Sequence, residues 1–145
     1  MKFYVATDHA GIDLKDLTVE MLRAKGHDVE DLGPFSKERV DYPDYAVKVC
    51  ESVLDDNAAH GILICGSGIG MSMSANRFHG IRAALCHDAY TASMARAHND
   101  ANVLCYGERV VGPGVAESII DAWIAGTFEG GRHCGRVEKI EAIQG

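Results

Sequence analysis

Apolar residues alternate along the chain between short unbroken runs and longer stretches where they recur every three or four positions. Phe3–Ala6 is a compact run rich in β-formers and predicts a strand. Gly11–Lys25 carries Leu14, Leu17, Met21 and Ala24 at helical spacing and stops at Gly26. His27–Leu32 predicts a second, weaker strand, and Gly33–Asp41, with its Gly, Pro, Ser and charges, a loop. The stripe Tyr42, Tyr45, Ala46, Val49, Cys50, Val53 and Leu54 predicts a helix over Tyr42–Leu54. Gly61–Cys65 then predicts a buried strand, a glycine turn, and a helix over Met71–Phe78. Ile81–Cys86 and Asn102–Tyr106 predict strands on either side of a helix over Ala89–Ala97. Val115, Ala116, Ile119, Ile120, Trp123 and Ile124 mark a further helix. After a glycine-rich joint, Gly126–Gly135, the tail places Val137, Ile140 and Ile143 on one helical face.

Five strands alternating with helices predict right-handed β-α-β crossovers and a parallel sheet covered on both faces. Length agrees: 145 residues without a linker or repeat suit one domain, 1–145, rather than two. The tail helix needs a surface for its apolar face, on its own domain or on a second copy of the chain.

Charge and cysteine content narrow the partners. With 14 basic and 21 acidic residues, the net charge of -7 disfavours a general binder of nucleic acid or anionic membranes. The five cysteines form no C-x-x-C pair, which argues against a disulfide framework or a structural zinc site. Met1–Asp8 has too short an apolar run for a signal peptide, and no window reaches the ~20 apolar residues of a membrane span. A cytoplasmic protein with reduced thiols is expected.

Open parallel sheets bind ligands beyond the carboxyl ends of their strands. Those ends fall at Asp8–His9, Cys65–Gly70, Cys86–His87 and Tyr106–Arg109. In Cys65-Gly-Ser-Gly-Ile-Gly70 the glycines permit a tight turn, and the free amides of the following helix can face an anion. The turn lacks the lysine of a Walker A loop and the third glycine of a dinucleotide fingerprint, where Met71 stands. It also lacks the arginine of a Cys-x5-Arg phosphatase loop. A Cys65 thiolate beside an anion hole is one reading; a small buried cysteine at a strand end suits the local pattern equally. Asp8 before Gly11 is also good capping chemistry, and His98 also suits a helix end interacting with the dipole. Arg132 and Arg136 share a face if Gly131 onward is helical, and with Arg109 they could grip a phosphate. Each alone reads as solvated charge.

Taken together, the segments Thr7-Asp-His-Ala-Gly11, Asp41-Tyr-Pro43, Gly61 to Gly70, Ala75-Asn-Arg77, Gly80-Ile-Arg-Ala83, Ala95 to Leu104, Gly107-Glu-Arg-Val-Val111 and Gly130-Gly-Arg-His133 resemble the ribose-5-phosphate isomerase B family, which includes galactose-6-phosphate isomerase subunits. They run in order over essentially the whole chain. The resemblance implies a Rossmann-like three-layer sandwich with a five-stranded parallel sheet and a C-terminal helix. It implies a homodimer or dimer of dimers with active sites at the interface, and aldose–ketose isomerisation without cofactor or metal. Cys65 matches the enediolate-forming base, and Ser67 with Gly66, Gly68, Ile69 and Gly70 the anion hole. His98 matches the residue that helps open the sugar ring, with Asp8 beside it. His9, Arg132 and Arg136 match phosphate ligands, with Arg109 supplied across the interface; Tyr42 and Asn99 match substrate contacts. Met71 stands where one branch of the family has a glutamate base, so the chain resembles the cysteine branch. The substrate implied is D-ribose 5-phosphate. An isomerase of allose or galactose 6-phosphate and a non-catalytic sugar-phosphate-binding module are the alternatives.

Overall fold

In the computed structural model, which describes residues 1–143, the apolar runs form β1 (Lys2–Thr7), β2 (Asp28–Asp31), β3 (Ala59–Cys65), β4 (Ala83–Leu85) and β5 (Val103–Gly107). They pair in parallel throughout, in the order β2-β1-β3-β5-β4. The amphipathic stretches form α1 (Ile12–Ala24), α2 (Tyr42–Asp55), α3 (Ile69–Ala75), α4 (Ala89–Asn99), α5 (Pro113–Ala125) and α6 (Arg132–Glu141). The expected α/β architecture is present: a parallel sheet between two helical layers.

Strand alternation sorts the core into those layers. Along β3, Ile62 and Ile64 join a cluster with Leu22, Ile119, Ile120 and Trp123, whereas Leu63 and Cys65 join Val49, Cys50, Val53 and Met71. Residues of α1, α4 and α5 thus cover one face, and those of α2 and α3 the other. Cys65 ends β3 on the α2–α3 side. The register sets Thr7 beside Ile64 and Cys65 beside Gly107, so β1, β3 and β5 end almost level. The chain leaves β1 toward β2 on one side, while β3 lies on the other. The crevice between Asp8 and Cys65 is therefore the topological switch point, where such sheets bind ligands.

Local chemistry sets the helix starts. Asp88 Oδ1 accepts from the Thr91 N–H at 2.7 Å and caps α4. Pro113 opens α5 at a position that needs no N–H donor. At α1 the cap comes from far away in sequence: the Leu14 N–H donates to Glu108 Oε1 at 2.6 Å.

Several boundaries differ from expectation, three of them for a visible reason. The helix after the glycine turn runs from Ile69 to Ala75, not from Met71 to Phe78, because it begins inside the glycines. β4 is limited to Ala83–Leu85 within the expected Ile81–Cys86, since the Arg82 N–H turns to Asn102 Oδ1 at 2.8 Å. The last helix starts at Arg132, so the joint is shorter than Gly126–Gly135. The tail helix packs on its own domain: His133 stacks on His98 of α4, and Glu141 binds Arg82 Nη1 at 2.5 Å and the Gly80 N–H at 3.1 Å. Ile140 and Ile143 stay exposed. Among the described residues no helix is long and apolar enough to cross a membrane.

His60, at the start of β3, accepts the Trp123 Nε1–H on Nδ1 at 3.3 Å, with the rings edge-to-face. Burial, aided by the Arg96 charge, lowers its pKa to about 4 from 6.5. Between those values the unfolded chain binds the extra proton, so stability rises with pH there. Unfolding measured by denaturant is expected to show full stability above about pH 6.5 and a decline toward pH 4, with a shallower decline in His60→Leu.

Candidate active site

The turn after β3 is built around its cysteine. Cys65 is 5% exposed, and the Gly68 N–H donates to its Sγ at 3.1 Å. Gly68 has φ +80, and a Cβ there would lie 2.8 Å from the Tyr106 carbonyl carbon, so no other residue fits. Ser67 Oγ accepts from the Ile69 N–H at 3.2 Å, and α3 begins at that residue. A thiol, a hydroxyl and the positive end of a helix thus converge.

Neighbouring strand ends close around the turn. The Glu108 N–H donates to Cys65 O at 2.9 Å, and the Arg109 N–H to Gly66 O at 3.0 Å. The Arg109 side chain lies against Gly66, where a Cβ would come 3.3 Å from Nη1. The resemblance implies that Arg109 comes from a second subunit; here it lies against the turn of its own chain. The Tyr42 ring covers Gly70 so closely that a Cβ would sit 2.6 Å from Cζ. Asp8 is buried; its N–H donates to Ile64 O at 3.3 Å, and its Oδ1 accepts from the Ala10 N–H at 2.9 Å. His9 Nδ1 lies 3.2 Å from Val40 O, in the loop leading to Tyr42.

That loop has an anchor that local sequence does not reveal. Lys15 is fully buried and donates to both oxygens of Asp31, at 3.0 and 2.8 Å, and to Pro34 O at 3.3 Å. Its ammonium also sits 4.7 Å from the Phe35 ring centroid.

His98, Asn99, Arg132 and Arg136 gather elsewhere. His98 and Asn99 close α4, and the His98 ring stacks on His133 at 4.3 Å and 15°. Arg132 and Arg136 flank His133 on α6. Among the described residues no hydrogen bond, ion pair or ring contact joins this group to the Cys65 turn. One chain therefore holds the expected site as two halves. Glu108, Lys15, Glu129 and His133 are the structural participants that the sequence reading did not single out, and their contacts are mostly non-local.

Three of the other cysteines are buried in the core. Burial pushes Cys50 up to about 12, Cys86 to about 11, and Cys105 well above its ordinary value. They stay protonated in the core, as expected of packing residues. Cys134 is instead exposed, on α6. A recess of about 730 Å³ between the end of α3 and α6, lined by Phe78, His79 and Ile140, contains none of the expected site residues.

The profile of the family described as Ribose/Galactose Isomerase matches residues 3–140. The chain belongs to this family. It is 48% identical to ribose-5-phosphate isomerase B of Escherichia coli strain K12 over 143 residues, covering 99% of this chain and 96% of the relative. It is 46% identical to a putative sugar phosphate isomerase of Bacillus subtilis strain 168, covering 97% and 95% of the two chains. The solved ribose 5-phosphate isomerase from Thermotoga maritima superposes with a TM-score of 0.95 at 48% identity, over 98% of each chain. The Trypanosoma brucei type B enzyme gives 0.93 at 50% identity, over 97% of each. The likeness to these isomerases covers the switch-point crevice and the last helix alike.

Gly68→Ala must strain the turn or move Tyr106. It is expected to lower stability by about 1–3 kcal/mol, the usual scale of such backbone strain. Loss of ligand binding should exceed what that destabilisation explains. A denaturation midpoint and a sugar-phosphate titration at low temperature check both; wild-type values in both would contradict the geometry.

Proposed function

We propose that this chain, as one domain over 1–145, interconverts D-ribose 5-phosphate and D-ribulose 5-phosphate. The observation that carries the reading is the Gly68 N–H on Cys65 Sγ at the head of α3, in a chain of the ribose/galactose isomerase family. An amide donor at the sulfur stabilises negative charge there, the state a base requires. Amides at the start of a helix suit an oxyanion that develops next to it.

In the reaction so read, His98 passes a proton to the ring oxygen and the furanose opens, with Asp8 assisting at the anomeric hydroxyl. The Cys65 thiolate takes the proton from carbon 2, giving a cis-enediolate. The amides of Gly66 and Gly70, with Ser67, hold its charge, the Gly68 and Ile69 N–H groups being taken by Cys65 Sγ and Ser67 Oγ. Cys65 returns the proton to carbon 1, while O2 loses a proton and O1 gains one. His9, Arg109, Arg132 and Arg136 bind the phosphate, and Tyr42 and Asn99 contact the sugar. Positioned acid–base catalysis contributes typically 10²–10⁴-fold, so oxyanion stabilisation must supply much of the rest. These steps use the chain's own side chains and amides.

The division of the site into two halves supports a homodimer, or a dimer of dimers, in which the His98–Arg132–Arg136 half of one subunit completes the Cys65 half of another. Exposed Ile69 and Met73 on α3, next to the turn, offer apolar surface for that contact. The same reading places the enzyme in the cytoplasm, where thiols stay reduced.

The family description pairs ribose with galactose, so sugar length is the decisive variable. Comparison of kcat/KM for ribose 5-phosphate, allose 6-phosphate and galactose 6-phosphate tests the reading. Ribose 5-phosphate is expected to be preferred by at least about tenfold, roughly 1.4 kcal/mol in transition-state binding. A preference for either hexose phosphate would reassign the substrate. Binding of all three without turnover would leave a sugar-phosphate-binding module.

A further inference from the structure

The reaction as read gives no task to Glu129 or His133, although both surround His98. The His98 and His133 Nε2 atoms each lie 3.6 Å from Glu129 Oε1. Donor atoms of all three residues fall within 4.8 Å of one another. We propose that His98, Glu129 and His133 form a site for a borderline-soft divalent transition-metal ion such as Zn²⁺, and that the ion inhibits isomerisation by occupying His98. The inhibitory part rests on the proposed role of His98; the binding part does not.

An unpaired buried atom points to a ligand here. His133 is 5% exposed, and its Nε2 is shielded from solvent without a hydrogen-bond partner. Such an atom costs free energy unless something fills its lone pair or takes its proton. Glu129 does not serve, because 3.6 Å is beyond hydrogen-bond range. It is close, however, to the spacing of two ligands on one tetrahedral ion: metal bonds of about 2.0–2.1 Å place neighbouring ligand atoms about 3.3 Å apart. Two imidazoles and a carboxylate form a set that suits Zn²⁺ and disfavours Ca²⁺ or Mg²⁺, which take oxygen ligands.

The freedom of the side chains to adjust agrees. A neutral imidazole offers its Nε2 lone pair to a metal, and the carboxylate of Glu129 supplies a negative charge beside it. The buried member is the fixed point. The side chains of Glu129 and His98, 53% and 36% exposed, are free to move toward it, and His98 must turn out of the ring stack to aim its lone pair. The Glu129 backbone is already tied to α4, its N–H donating to Ala97 O at 3.0 Å. Arg132 and Arg136 are exposed, so solvent screens their repulsion of a cation. An ion fixed there would hold the His98 lone pair needed for proton transfer.

The test uses chelator-treated full-length protein, Co²⁺ as the spectroscopic probe and Zn²⁺ as the titrant. The expected result is one ion per chain, with cobalt ligand-field absorption and no thiolate-to-cobalt charge-transfer band. Glu129→Gln, at an exposed side chain, should weaken binding by more than the roughly 10–100-fold typical of losing an outer-shell partner. His133→Gln should do the same, with circular dichroism confirming the fold. Zn²⁺ should inhibit wild-type isomerisation, and Glu129→Gln should need a correspondingly higher concentration, each protein compared with its own metal-free rate. Unchanged affinity in both variants, or a thiolate charge-transfer band, overturns the site. Stoichiometric binding without loss of turnover overturns the inhibitory role. A chain without isomerase activity would fail the functional reading while the cobalt titration still decides the site.

Discussion

The amide of Gly68 pointing at the Cys65 sulfur is the contact on which the rest of the arrangement depends. It exists because the chain reverses within three residues of the end of a buried strand, which requires the left-handed backbone at Gly68. The reversal also starts α3 at Ile69, so the helix's free amides open onto the same crevice. Without it, the Cys65 sulfur would face the crevice with no amide donor.

Everything around the turn keeps that geometry in place. The level ends of β1, β3 and β5 bring Asp8, Cys65 and Glu108 together, and Glu108 ties the turn to α1 through its backbone and carboxylate. Buried Lys15 fixes Asp31 and Pro34 at the start of the loop that carries Val40, the partner of His9. A buried ion pair of this kind is a weak source of net stability. Its consequence lies in where it holds the loop.

Much of this is legible in the sequence. Apolar runs and helical stripes define the strands and helices, and the strand ends mark the crevice, because a two-sided parallel sheet leaves little freedom in either. Boundaries shift where side chains override periodicity. Asn102 takes the Arg82 N–H from the β4 ladder, and the glycines let α3 begin early. Contacts between distant segments are invisible to periodicity. Glu108 caps a helix 94 positions away, and Glu129 and His133 draw His98 into a cluster apart from Cys65. The local pattern equally allows Cys65 to be inert packing, and the Gly68 N–H on its sulfur is a contact that periodicity does not reveal. His98 does close a helix, as its position suggests, and it also faces a histidine from the last helix.

The central claim is that Cys65 carries the proton between carbons 1 and 2. Hydrogen exchange into the sugar phosphate in heavy water, followed by NMR in wild type and in Cys65→Ser, tests it most directly. The account predicts deuterium at the exchanging carbons with wild type and none above background with Cys65→Ser, while the variant still binds ribose 5-phosphate. Exchange by the variant at the wild-type rate would contradict it.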